Sequence, residues 1–191
     1  MIMLARRISI LFVFNLLASL LTAQPGGFNV SYIQNHYFAE TGGGELNWGI
    51  AQDKRGIVYV ANNDNGILEY DGSTWRTYPV PGDVAVRSVV AGDDGFIYAG
   101  LDGDFGRLEP DREGSLHYRS LLDSVQRGSY SEVAFWRTYF QSGKVYSCGM
   151  QAIIEFDVAT DKITVIDPPE NAFLSIFIGA QLYTSTPGNG V

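Results

Sequence analysis

Cysteine is nearly absent: Cys148 is the one thiol in 191 residues, so no internal disulfide can staple the fold. Histidine is almost as scarce. His36 and His117 lie far apart with no Cys or His at metal-ligand spacing, which gives zinc no support, and no other cofactor is indicated. Positive charge is in deficit. Thirteen basic residues face 21 acidic ones, and without Arg6 and Arg7 the balance is 11 to 21, or −10. A surface of that sign repels phosphate backbones, which argues against nucleic acid and anionic lipid as partners. Beyond the first 23 residues no apolar run approaches the ~20 residues needed to span a hydrocarbon core. Long amphipathic stretches are also missing. Leu121 to Gln126 is the single candidate helix and amounts to one short turn, which excludes a parallel α/β fold.

The N-terminus carries a compartment signal. Arg6 and Arg7 precede an apolar stretch from Ile8 to Leu21, which ends in the small residues Thr22 and Ala23. That is the layout of a secretory signal peptide cleaved after about Ala23, with export to the periplasm as the expectation. Asn29-Val30-Ser31 is a glycosylation sequon, meaningful only in a pathway that reads it. Residues 24–45 form a lead-in segment.

What is abundant is β-branched, aromatic and glycine residues, in a repeating order. Gly56-Ile57-Val58-Tyr59 recurs as Gly95-Phe96-Ile97-Tyr98 and Gly143-Lys144-Val145-Tyr146, with a weaker echo at Ala180-Gln181-Leu182-Tyr183. The tyrosines are 39, 48 and 37 residues apart, the longest interval reflecting an insertion around Leu121 to Glu132. Each marker follows an apolar run and an Asp- or Gly-containing turn, and precedes a segment of the type Gly66-Ile67-Leu68-Glu69-Tyr70-Asp71. The counterparts of that segment read as Gly106 to Asp111 and Ala152 to Asp157. A fourth short strand closes each unit. Four short strands per ~40 residues is the period of a propeller blade. The expected fold is all-β: a β-propeller of four-stranded blades, incomplete at about three and a half blades. The blades fall at about 46–80, 86–120, 133–168 and, in part, 173–191, with Gly190-Val191 opening a third strand of the last. Propellers close with ~4–8 blades. The chain is therefore expected to be the front part of something longer, and its unpaired edge invites self-association with another strand.

These repeats resemble the two-component regulator propeller family. The likeness is carried by Asn47 to Asp53, Gly56 to Asn62, Gly66 to Gly72 and Trp75, and continues through Val86-Arg87-Ser88, Ile97 to Gly100 and Asp104-Phe105-Gly106. It covers most of the chain from about residue 44. The resemblance implies the periplasmic sensor propeller of a triple-tyrosine-domain regulator. It implies signal transduction without catalysis, and a glycan fragment or other small molecule as ligand. Membrane attachment would come through downstream segments outside this sequence.

No residue pattern here announces a chemistry. Asp104-Phe105-Gly106 spells the magnesium tripeptide of protein kinases, but no Gly-rich loop, partner lysine or catalytic loop accompanies it. Asp93-Asp94-Gly95 resembles the aspartate boxes of sialidase-like propellers, which are structural hairpin turns. Asp102-Gly103-Asp104 and Asn62 to Asn65 have the oxygens for calcium but not the spacing, and turn chemistry accounts for them. A glycosidase or lyase would need paired carboxylates that no sequence feature aligns. Such an extracytoplasmic enzyme is the alternative function, as is a self-associating half-propeller scaffold. The candidate ligand-binding residues are Trp48, Arg87, Trp136 and Arg137, placed near the starts of the innermost strands. Tryptophan faces stack on sugar rings and arginine gives planar hydrogen bonding. The competing role for the same residues is packing between blades.

Overall fold

The turns come first in explaining this chain. Asp53 Oδ1 accepts from the backbone N–H of Arg55 (2.9 Å) and Ile57 (3.1 Å), and Gly56 takes φ +87° to close the hairpin. Gly95, at φ +91°, repeats the device with Asp94. Asp71, Asp111 and Asp157 each accept from two N–H groups two to four residues on, capping the next hairpin in three successive units. An acceptor side chain and a residue free to reach positive φ are what a tight reversal needs.

Between these turns lie the strands of a computed structural model, which describes residues 35–188. β1 (Asn47–Gln52), β2 (Val58–Asn62), β3 (Gly66–Tyr70) and β4 (Trp75–Tyr78) form one antiparallel meander. A second contains β5 (Val86–Ala91), β6 (Ile97–Leu101), β7 (Phe105–Pro110) and β8 (Leu116–Ser120). The third holds β9 (Arg137–Gln141), β10 (Lys144–Cys148), β11 (Ile153–Asp157) and β12 (Lys162–Ile166). β13 (Leu174–Ile178) and β14 (Gln181–Ser185) begin a fourth. The first strand of each sheet packs on the first of the next, β1 on β5, β5 on β9 and β9 on β13. The architecture is an incomplete β-propeller. The expected third strand of the fourth unit, at Gly190-Val191, lies outside the described residues, as do the signal peptide and the sequon.

Side chains alternate between the two faces of each blade, and β6, buried along its whole length, serves a core on both sides. Tyr59, Ala61 and Ile67 face Val86, Ile97, Ala99, Leu101 and Leu108 in the core between blades one and two. Tyr98 and Phe105 face Val145, Ile154 and Phe156 in the core between blades two and three. Each marker tyrosine thus points to the following blade, and Tyr146 continues the series against Phe177, with ring centroids 5.0 Å apart. A fully buried aromatic or aliphatic side chain contributes about 1.5–3 kcal/mol, so these interblade faces dominate the cohesion of the repeat.

Three local features differ from the sequence reading. Helix α2 runs Ser124–Ser129, shifted from the expected turn at Leu121 to Gln126, because Asp123 and Gln126 form a reciprocal capping box that sets its start. A four-residue helix α1, Phe38–Thr41, was not anticipated, since one turn leaves no periodicity to read. In blade two the ladder pairs Tyr98 with Arg107, whereas Tyr59 pairs with Glu69. The spatial counterpart of Gly66 to Asp71 is therefore Asp104 to Glu109, two residues before the segment matched by sequence.

The end of the lead-in, from His36 to Glu45, lies against blade one. His36 packs on Tyr70 and Trp75 at 4.7 and 5.3 Å between ring centroids. Asn62 fastens it: Oδ1 accepts from Gly44, Asp64 and Asn65 N–H, while Nδ2 donates to Gly44 O, Leu46 O and Asn47 Oδ1.

Candidate functional site

The inner strands of blades one and two both carry a bulge at their starts. In blade one Asn47 pairs with Asn62 and Gly49 with Ala61, leaving Trp48 as the extra residue. In blade two Val86 pairs with Leu101 and Ser88 with Gly100, leaving Arg87. A bulge bends the strand and re-aims the extra side chain. Here both extra side chains turn toward the same place. Blade three has a regular ladder, with Arg137 opposite Cys148 and Thr138 opposite Ser147. Its Trp136 stands just before β9 and joins the other two.

The result is a three-cornered cluster. The Arg87 guanidinium lies 4.9 Å from the Trp48 ring centroid and 4.6 Å from that of Trp136. The two indoles meet edge to face at 5.4 Å. Asp102 takes two hydrogen bonds from Arg87, 2.8 Å from Nε and 2.6 Å from Nη2. Asn63 Oδ1 accepts from Trp48 Nε1 at 3.0 Å and from Arg87 Nη1 at 3.4 Å. Cation–π contacts of this kind are worth about 0.5–2 kcal/mol depending on desolvation.

Three of the four residues singled out in the sequence are thus brought together. Arg137 is not: it is exposed, and its Nη1 reaches only the adjacent Trp136 carbonyl at 3.4 Å. Asp102 and Asn63 were missed as site residues. Both sit in the turn after the second strand of their blade, at the same end as the bulges, and that shared turn position is the signal that could have found them.

The chemistry left to this cluster is limited and specific. Arg87 spends its hydrogen-bonding edge on Asp102 and Asn63 and lies against two indoles, so it has little to offer an anion. Trp48 remains 38% exposed and Trp136 half-buried, so what faces solvent is indole surface. A planar or apolar ligand face can stack there on rings already held in place.

Behind the cluster a chain of hydroxyls ties blades two and three. Ser88 Oγ donates to Phe135 O at 2.8 Å and so accepts from Thr138 Oγ1 at 2.7 Å, and Thr138 in turn lies 3.2 Å from Ser147 Oγ. Cys148, at the end of β10, is buried, and burial pushes its thiol up to about 12.

The other candidate motifs are occupied by structural duties. Asp94 accepts from Phe96 N–H at 3.1 Å and from Tyr98 Oη at 2.6 Å. Asp104 accepts from Ser120 Oγ at 2.6 Å and Phe105 N–H at 2.9 Å at the start of β7. Among the described residues no three His, Cys, Asp or Glu side chains gather where they could hold a metal ion.

No protein-family model matches the chain, and no curated protein does. Solved structures do. One is the extracellular domain assigned to a hybrid two component system of B. thetaiotaomicron, at TM-score 0.62 and 16% identity over 80% of this chain and 24% of that one. A second hybrid two component system of B. thetaiotaomicron supplies another extracellular domain, at TM-score 0.54 and 18% identity over 74% of this chain and 19% of that one. Virginiamycin B lyase from Staphylococcus aureus matches at TM-score 0.53 and 15% identity, over 75% of this chain and 56% of that one. The likeness is one of fold. The chain spans between 19% and 56% of the length of these proteins.

Proposed function

We propose that this chain is part of the exported, non-enzymatic sensing propeller of a two-component-type receptor, and that it contacts its ligand through Trp48 and Trp136. The observation that carries the reading is the Trp48–Arg87–Trp136 cluster: three blades contribute to one rigid aromatic platform beside the innermost strands. The likeness in fold to extracellular domains assigned to hybrid two component systems supports the receptor context. Among the described residues no helix is long and apolar enough to cross a membrane. Membrane attachment and output would belong to segments outside this sequence.

The ligand class is a sugar ring of a glycan fragment. Its C–H face stacks on indole, and it asks nothing of the neutralised Arg87. The test is a titration of the full chain with a panel of oligosaccharides, following tryptophan emission and analysing the mixture for products. Saturable quenching that Trp136→Ala removes, with the sugar recovered unchanged, supports a sensor. Cleavage of the sugar would replace this reading with the extracytoplasmic enzyme, and absence of quenching by any sugar would end the glycan assignment.

A further inference from the structure

A second site lies on the other end of the blades. A groove of about 730 Å³ separates blades one and two near the β1–β2 and β5–β6 turns, within the range of small-ligand sites. Blades flare outward from their inner strands, so gaps between them are expected. What distinguishes this one is how the next gap is closed. Between blades two and three the guanidinium of Arg107, 12% exposed as a side chain, lies 4.2 Å from the Phe96 ring centroid and 5.9 Å from that of Phe156. It donates to Glu109 at 2.7 Å.

The groove has a different residue at each of those places. Glu69 stands where Arg107 does, since each pairs with the marker tyrosine of its own blade. Ile57 replaces Phe96 in the repeat, and Leu108, opposite Ile97, replaces Phe156, opposite Val145. All three line the groove. A filled gap with an internal guanidinium on aromatic rings has become an open one, with a carboxylate and smaller apolar walls.

Charge of both signs lines the groove. Glu69, 6% exposed as a side chain, accepts from Arg76 Nη1 at 2.8 Å and Tyr78 Oη at 3.1 Å. At the rim stand the side chains of Arg76 and Arg55, 51% and 65% exposed, with Arg55 paired to Asp53 at 2.7 Å and its Nη1 left open, and the carboxylate of Asp94 beside them. Arg76 also holds Asp71 at 2.9 Å, so it keeps a partner when its bond to Glu69 is exchanged.

We propose that this groove binds a small zwitterion whose guanidinium or ammonium end enters toward Glu69, whose apolar stem lies on Ile57 and Leu108, and whose carboxylate meets Arg55 and Arg76 at the rim. The site is separate from the indole platform and stands independently of the sensor reading.

The experiment is calorimetric titration of the full chain with L-arginine, with agmatine, which lacks the carboxylate, and with L-citrulline, which lacks the positive charge. The expected order is arginine, then agmatine, with citrulline weaker than arginine by roughly tenfold or more. Ile57→Phe, which copies the residue of blade two, is expected to fill the groove and abolish binding with the unfolding midpoint unchanged. Glu69→Gln is expected to weaken arginine and leave citrulline unaffected. No heat with L-arginine, citrulline equal to arginine, or undiminished binding by folded Ile57→Phe would each overturn the proposal.

Discussion

Arg87 and Asp102 are joined by two parallel hydrogen bonds of 2.8 and 2.6 Å, and the arginine lies against two tryptophans, one from each neighbouring blade. Its side chain is only 16% exposed, so the carboxylate compensates a charge that water barely reaches. Removing one member of such a pair costs more than the pair is worth, because the other is left unpaired. Asp102→Ala is expected to lower stability by about 1–3 kcal/mol, and Asp102→Asn by less. Urea unfolding followed by tryptophan emission measures both, and a midpoint unchanged in Asp102→Ala would show that the indoles alone hold Arg87.

Asn62 makes six hydrogen bonds with one side chain, spanning the lead-in, the start of β1 and its own turn. It is fully buried, so Asn62→Ala leaves several backbone groups without partners. The expected loss is about 2–3 kcal/mol, together with cleavage by protease between residues 36 and 46 at concentrations that spare the parent chain. Loss of stability without early cleavage there would mean that His36 on Tyr70 and Trp75 holds the lead-in by itself.

The propeller was legible because its signal is carried by side chains that recur. The marker tyrosines and the Asp/Gly turns each perform the same task in successive blades. Register was less legible. Matching Gly66 to Gly106 aligns the motifs and the turn aspartates Asp71 and Asp111, yet the ladder of blade two is set by the short Asp102-Gly103 turn and runs two residues out of step. The site was half legible. Trp48, Arg87 and Trp136 could be placed near the inner strands, but the bulges that aim Trp48 and Arg87 leave no mark in composition. Arg137 occupies the place in its run that Arg87 does in its own, and without a bulge it points away from the cluster. The groove beside Glu69 emerges only when one gap is compared with the next.

Two glycines make a paired test of packing. A Cβ on Gly100 would stand 2.7 Å from Phe135 O and from Ser88 Oγ, and 2.8 Å from Phe135 Cβ, in the contact between blades two and three. Gly100→Ala is expected to destabilise by about 1–3 kcal/mol through that overpacking. Gly128 lies in α2 with nothing within 4 Å of its would-be Cβ. Gly128→Ala is expected to stabilise by a few tenths to about 1 kcal/mol, the gain in helix propensity. Thermal midpoints moving in opposite directions are the result; a fall in both would place α2 in a tighter environment than its open surface indicates.

Asp104 supplies a pH dependence whose sign is set by burial. Burial raises its carboxyl above the ordinary 3.8, against the opposing pull of Ser120, the Phe105 N–H and Arg127. The folded state therefore holds this proton more tightly than the unfolded chain. Stability is fully present below the unfolded value and falls as pH rises through the folded one, so at neutral pH the ionised, buried carboxylate is a cost. Glu109 and Glu155 act oppositely: hydrogen bonds and charge from Arg107 and Arg119 hold the first below its ordinary value, and those from Lys144 the second, so the informative quantity is a difference between variants. Asp104→Asn keeps an oxygen for Ser120 and Phe105 and removes the charge whose burial is the cost. The variant is expected to gain on the parent as pH rises from about 4 toward 7 and to be the more stable of the two at neutrality. Unfolding midpoints measured across that range check it, and parallel curves would mean that Asp104 has the same proton affinity folded and unfolded.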